Sequence, residues 1–137
     1  GYNGSDTFTV HVSDGTASEA RVFTVTVTPL PNVAPVFVGG FTTILVQKNG
    51  VTNLKPYLHV SDTDSGQTLI WSQAAAPLNG TLTISGATAN SGSTDITPRG
   101  TITYRPKSAY LGPDTFTIQV SDGAATALRV FNVTVSK

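Results

Sequence analysis

Apolar and polar residues alternate one for one in two places along the chain. In the first, Phe8, Val10 and Val12 are separated by Thr9 and His11; after Ser13-Asp14-Gly15 the alternation resumes at Phe23, Val25 and Val27. In the second, Phe116, Ile118 and Val120 are separated by Thr117 and Gln119; Ser121-Asp122-Gly123 interrupts, and Phe131, Val133 and Val135 follow. A period of two marks a half-buried strand, and Asp-Gly tolerates the dihedrals of a tight turn. Each stretch therefore predicts a β-hairpin, and the two hairpins are near copies. From Gly4/Gly112 to Thr28/Ser136, 16 of 25 aligned residues are identical at a constant offset of 108. A fixed period of this kind marks a tandem array. Residues 1–28 read as the C-terminal hairpin of a preceding repeat, 29–35 as a linker and 36–137 as a following repeat. Pro29, Pro31 and Pro35 keep the linker extended.

Shorter runs lie between the hairpins. Val36-Phe37 and Thr42–Gln47 predict a first strand, broken at Gly39-Gly40. Thr52–Val60 predicts a second, with Leu58 and Val60 on one face and Tyr57 and His59 on the other. Ser61–Gly66 is a tight polar loop. Thr68–Ala75 is a third strand with Leu69 and Trp71 inward, and Asn79-Gly80 signals a turn at positive φ before a fourth, Gly80–Ile84. Ser85–Gly100, rich in Gly, Ser and Thr without alternation, is expected as a long exposed loop. Thr101–Pro106 is a fifth strand with Ile102 and Tyr104 inward, and Tyr110 stands where a tyrosine corner would pin the crossover. Asp6 and Asp114 read as caps at the start of their strands. Seven short strands at about 8–15-residue spacing predict an all-β fold. The expectation is a seven-stranded antiparallel Greek-key β-sandwich, preceded by an extra hairpin, with Phe116 and Phe131 facing the Leu69/Trp71 strand across the core.

Composition narrows the function. Charged residues make up 12 % of the chain and the formal net charge is zero, so there is no basic stripe for nucleic acid. No apolar run approaches the ~20 residues that span a bilayer. Cysteine is absent, whereas small secreted animal domains are commonly stapled by disulfides. A Cys-free, Thr-rich, weakly charged β-domain fits an extracellular or cell-surface location in bacteria. The chain starts inside a repeat and is read as a fragment. The Asn-x-Ser/Thr triplets at Asn3, Asn79 and Asn132 are read as chance in a chain so rich in Ser and Thr.

Catalysis needs a constellation of groups in a cleft. There is no Cys nucleophile. His11 and His59 fall on outward strand positions, and Asp62 and Asp64 stand two apart on one loop, too close to flank a glycosidic bond as an acid/base pair. No phosphate-binding loop or zinc spacing is present. The chain reads as a non-enzyme.

Taken in order, Val60-Ser61-Asp62-Thr63-Asp64-Ser65-Gly66, Leu69-Ile70-Trp71, Asn79-Gly80-Thr81-Leu82, Ile102-Thr103-Tyr104-Arg105-Pro106, Gly112-Pro113-Asp114-Thr115-Phe116 and Val120-Ser121-Asp122-Gly123 form a series. That series resembles the cadherin-like and Ig-like tandem repeats of large bacterial surface and secreted proteins. The resemblance covers residues 33–137 in full and 1–28 as the tail of another repeat. It implies a structural or adhesive repeat whose partners are neighbouring repeats and, for an adhesin, a surface glycan or cell-surface ligand. It also implies calcium at the pole that receives the linker, where Asp62, Asp64 and Asp122 match cadherin ligand positions. The linker departs from the cadherin pattern. Only Asn32 offers a side-chain oxygen there, and Gln47 and Lys48 stand where cadherins place an acidic residue, so at most one weak calcium site is expected. Each of these aspartates also has a purely local reading as a turn former.

The alternative is a carbohydrate-binding or accessory module of a secreted polysaccharide-degrading enzyme. It would need outward aromatics on one face, for which Tyr57 and Phe41 are the candidates; Trp71 reads as core. Residues 4–28 raise a separate expectation. An isolated hairpin is marginal in water, so the segment needs a partner: it adds to the sandwich of the same or a neighbouring chain, by edge pairing or by covering an apolar face, or it swaps with the equivalent hairpin of another molecule. The stiff Pro29–Pro35 linker favours self-association between chains.

Overall fold

The computed structural model describes residues 2–137, in two compact units; the first ends at Pro31 and the second is Asn32–Lys137. The first unit is an antiparallel pair, β1 (Gly4–Ser13) and β2 (Ser18–Val27), in register from Gly4↔Val27 to Ser13↔Ser18. Asp14 closes its turn. Its Oδ1 accepts the backbone N–H groups of Thr16 (2.9 Å) and Ala17 (2.8 Å). Those two bonds, Ala17 first, hold its carboxyl below the usual value.

The second unit holds eleven strands. They are β3 (Val36–Phe37), β4 (Thr43–Gln47), β5 (Thr52–Asn53), β6 (Val60–Asp62), β7 (Thr68–Ala75), β8 (Gly80–Ser85), β9 (Thr88–Asn90), β10 (Ser93–Ile96), β11 (Thr101–Pro106), β12 (Gly112–Ser121) and β13 (Thr126–Ser136). One sheet runs β4-β13-β12-β7-β9; two three-stranded sheets run β10-β6-β3 and β5-β11-β8. All contribute to one core, the arrangement of a β-sandwich. Tyr104 stacks on Phe116 with ring centroids 5.7 Å apart, and Phe116 on Phe131 at 5.4 Å. Around them Leu58, Val60, Leu69, Ile102, Ile118 and Val120 are fully buried.

Several expectations need correction. Residues 36–47 do not form one strand. Gly39 takes φ +78°, a turn few other residues adopt, so β3 pairs antiparallel with β6 while β4 pairs parallel with β13. That parallel pair departs from a wholly antiparallel sandwich. The Thr52–Val60 strand is interrupted by a 3₁₀ turn at Lys55–Tyr57, since Pro56 has no N–H for a ladder. Leu58 and Val60 remain buried all the same.

Ser85–Gly100 is not a long exposed loop, because it carries β9 and β10 and buries Ala87, Ala89 and Ile96. Alanine is too small to stand out as an apolar alternation. Next, β7 lies beside β12 in the same sheet, with Val120 opposite Trp71; the aromatic across the core is Tyr104. Gly80 is needed for close approach rather than for positive φ, since a Cβ there would strike the Tyr104 ring.

Asp114 is more than a strand cap. It is buried, and its carboxylate accepts the N–H groups of Leu78 (3.0 Å), Asn79 (3.0 Å) and Thr115 (2.9 Å) and the Tyr104 hydroxyl (2.7 Å). Burial, with the hydrogen bond to Asp114, pushes the Tyr104 hydroxyl far above its usual pKa. Tyr110 does pin the crossover. Its hydroxyl donates to the Pro113 carbonyl (2.6 Å) and accepts from the Asn79 amide (3.1 Å).

Candidate site at the linker pole

Three elements bring the candidate residues together. Asp62 ends β6, Asp64 lies in the loop after it, and Asp122 opens the turn after β12. Asn32 is the first residue of the second unit. Asp122 builds its own turn, as Asp in such loops does: Oδ1 accepts from Ala124 (2.7 Å) and Ala125 (2.6 Å). Its Oδ2 accepts the Asn32 side-chain amide (3.0 Å), and Asn32 Oδ1 accepts from the Gln67 amide (2.6 Å). Asp64 Oδ2 accepts the Val33 N–H (2.7 Å), and the Asp64 N–H donates to Asp62 Oδ1 (3.1 Å). The start of the second unit is thus tied at two consecutive residues to the loops that follow β6 and β12.

Two buried oxygens at this pole have no hydrogen-bond donor, Asp62 Oδ2 and Gln67 Oε1. Asp62 is 1 % exposed. Burial pushes its carboxyl above the usual value; the Asp64 N–H works against this, and the charges of Asp122 and Asp64 add to it. At Asp122 burial pushes up as well. The Ala125 N–H, the Asn32 amide and the Ala124 N–H together outweigh it, and the carboxyl ends below the usual value. The two groups therefore bear on stability with opposite signs. Asp122 stabilises the fold above the ordinary aspartate pKa of about 3.9, and that contribution is lost as pH falls through its lowered value. Asp62 costs stability while charged, and the cost is recovered as pH falls through its raised value. In chelator at neutral pH, Asp62→Asn should match or exceed wild-type stability and Asp122→Asn should fall below it. The Asp62→Asn advantage should shrink towards about pH 4. Denaturant melts across that range check both signs.

The donor set suits a hard cation, because calcium takes oxygen ligands. An orphaned, buried carboxylate oxygen is an atom a cation would satisfy. Among the described residues no three or more His, Cys, Asp or Glu side chains stand in a metal-holding arrangement; both Asp122 oxygens and Asp64 Oδ2 accept N–H groups instead. Gln67 is the member of the pole that sequence reasoning missed. Its amide matters through Asn32, 35 residues away, and no local pattern shows that pairing.

Elsewhere, His59 Nδ1 lies 2.6 Å from Asp95 Oδ1 on the surface. Asp95 falls in the stretch read as a loop, so that partner was not legible either. Phe41 and Tyr57 meet edge to face, with centroids 6.3 Å apart and planes at 83°. That is not the flat pair of ring faces on which a sugar stacks. Among the described residues no helix is long and apolar enough to cross a membrane.

A family model described as a bacterial Ig domain matches residues 32–135. No curated protein matches the chain. Among solved structures, an endo-fucoidan hydrolase from glycoside hydrolase family 107 is similar at 21 % identity and a TM-score of 0.51. The match covers 97 % of this chain and 19 % of that one, so the likeness is one of fold. Domains 4 and 5 of the S-layer protein SbsC match at 16 % identity and a TM-score of 0.39, over 96 % of this chain and 58 % of that one.

Proposed function

The chain belongs to the bacterial Ig domain family, and on that footing we propose that it is a non-catalytic structural module of a bacterial surface or secreted multi-repeat protein, one that sets reach and stiffness between neighbours. Modules of this family are non-catalytic and usually occur in surface or secreted proteins. The observation that carries the reading is the tie at the linker pole, where Asn32 and Val33 are bonded to Asp122 and Asp64. A stiff array needs each module's first residues held by its own loops, and these bonds hold them. The 108-residue repeat of the hairpin supports the array, and Greek-key order is proposed for the sandwich.

We also propose one weak calcium site at this pole, held by Asp62, Asp64 and Asp122 with the side-chain oxygen of Asn32. The orphaned Asp62 Oδ2 supports it. Bound calcium would supply the positive charge that the buried carboxylate lacks. A ligand that binds only the folded state stabilises by about 2.7 kcal/mol at a hundredfold excess over Kd. Millimolar calcium should therefore raise Tm relative to chelator, and Asp64→Ala should abolish the rise. An unchanged Tm removes the metal and leaves the structural module. Retention on insoluble polysaccharides would instead overturn the structural reading in favour of the carbohydrate-binding one; none is expected.

A further inference from the structure

The sheets of the second unit end at β10 and β3, at β5 and β8, and at β4 and β9. An open sheet edge invites another strand, and proteins blunt their edges with short strands, charges, prolines or bulges. β3 and β5 have two residues each and β9 three, and β10 carries a register shift between Ser93 and Ile96. β4 is longer, but Phe41 before it packs on Tyr57 and Lys48 follows it. β8 has none of these devices. Its six residues, Gly80-Thr81-Leu82-Thr83-Ile84-Ser85, are uncharged and pair with β11 without a break, from Gly80↔Pro106 to Ser85↔Thr101.

The backbone of β8 offers bonds at that edge. In an antiparallel pair, residues facing each other alternate between those that exchange hydrogen bonds and those that point away from each other. The Lys107 N–H donates to the Asn79 carbonyl, and the Leu54 N–H donates to the Ile102 carbonyl on the far side of β11. Thr81, Thr83 and Ser85 are therefore bonded to β11. Gly80, Leu82 and Ile84 point their N–H and C=O groups outward, where no strand lies. The side chains of Leu82 and Ile84 face the core yet are only half-buried. Beside them a cleft of about 430 Å³ opens between β7 and β8, with Ile70 and Ala87 in its lining.

We propose that β8 pairs antiparallel, edge to edge, with β8 of a second copy of this chain, about a two-fold axis at Leu82. The strand is complementary to itself in that register. Leu82 meets Leu82, and Gly80 meets Ile84 at both ends, so all three outward-pointing residues of each strand exchange backbone bonds. On the core side the bare Gly80 leaves room for Ile84, and the apolar side chains of the partner strand extend over the cleft. On the outer face, where Thr81 and Thr83 are exposed, each Thr81 meets a Thr83, a favourable cross-strand pair. The symmetry uses both edges, so association stops at two. This goes beyond the structural-module reading. β8 lies outside the loops that form the linker pole, so loss of the calcium effect leaves it standing, and a monomeric chain leaves the module standing.

Charge at the exposed threonines tests the register, using the full chain. Wild type should sediment at twice its monomer mass as concentration rises to the millimolar range. Thr81→Glu/Thr83→Glu and Thr81→Lys/Thr83→Lys each place like charges opposite one another and should each be monomeric. Mixed together, the two variants should form a heterodimer. Thr134→Lys, on the outer face of β13, should leave the dimer intact. Hydrogen exchange reads the wild type without any substitution: the N–H groups of Leu82 and Ile84 should exchange more slowly as concentration rises, and those of Thr81 and Thr83, already bonded to β11, should not change. A wild-type chain that stays monomeric at millimolar concentration overturns the proposal. So does a dimer that survives both charged variants, a mixture that stays monomeric, or association lost in Val25→Asp and kept in the charged variants, which would assign it to the first hairpin.

Discussion

Phe116→Ala should destabilise the second unit by about 3–5 kcal/mol, the range for a buried aromatic cut to alanine. Phe116 is the middle ring of three, stacked between Tyr104 across the core and Phe131 on the neighbouring strand. Its removal leaves a cavity that two rigid rings cannot close without leaving their own packing. The Tm should fall by at least about 10 °C, at the several degrees per kcal/mol usual for a domain of this size. Thr117→Ala, one residue on and facing out, should cost under ~0.5 kcal/mol. Phe8→Ala, the same position in the other hairpin, should leave the melt of the second unit unchanged. Equal costs at 116 and 117 would show that β12 presents its other face to the core.

Asp114→Ala should cost about as much, roughly 3–5 kcal/mol, for a different reason. The carboxylate is buried and is the common acceptor for the Tyr104 hydroxyl and the N–H groups of Leu78 and Asn79. Its loss strands the buried Tyr104 hydroxyl and removes the acceptor of the part-buried Leu78 and Asn79 N–H groups, and each buried unsatisfied group costs about 1–3 kcal/mol. Asp114→Asn keeps the shape but puts an amide donor beside one of those donors, so it should recover only part of the loss. Asp6→Ala in the first hairpin removes, among the described residues, a bond to Thr7 alone and should not move the melt of the second unit. Urea denaturation of the three variants separates a buried hub from a local cap. If Asp114→Ala costs no more than ~1 kcal/mol, the carboxylate is acting as a cap.

How far the sequence could be read follows from the range of the interactions concerned. Wherever a strand is half-buried over several residues, its period of two is written locally. Thr68–Ala75, Thr101–Pro106 and both hairpins were legible for that reason, as were the inward faces of Leu69, Trp71, Ile102, Tyr104 and Phe116. The repeat needed only comparison of the chain with itself. The three aspartates of the linker pole could be named because their loops match cadherin ligand positions, and Asn32 because it offers the one side-chain oxygen of the linker.

What those residues are bonded to was not local. Asn32 meets Asp122 across 90 residues, and Val33 meets Asp64 across 31; only the closure of the sheets brings them together. The same holds for Asp114, whose role depends on Tyr104 and the turn before β8, and for Gly80, whose missing side chain makes room for the Tyr104 ring. β9 and β10 escaped notice because they are short and each buries a single apolar residue, Ala89 and Ile96, which is too few to show a period. Residues 36–47 read as one strand because a glycine break states that the chain bends, not which sheet each half then joins. Strand periodicity is a property of neighbours along the chain, and the tertiary structure alone decides which strands, loops and linker residues share a face, because that depends on packing distant segments round one core.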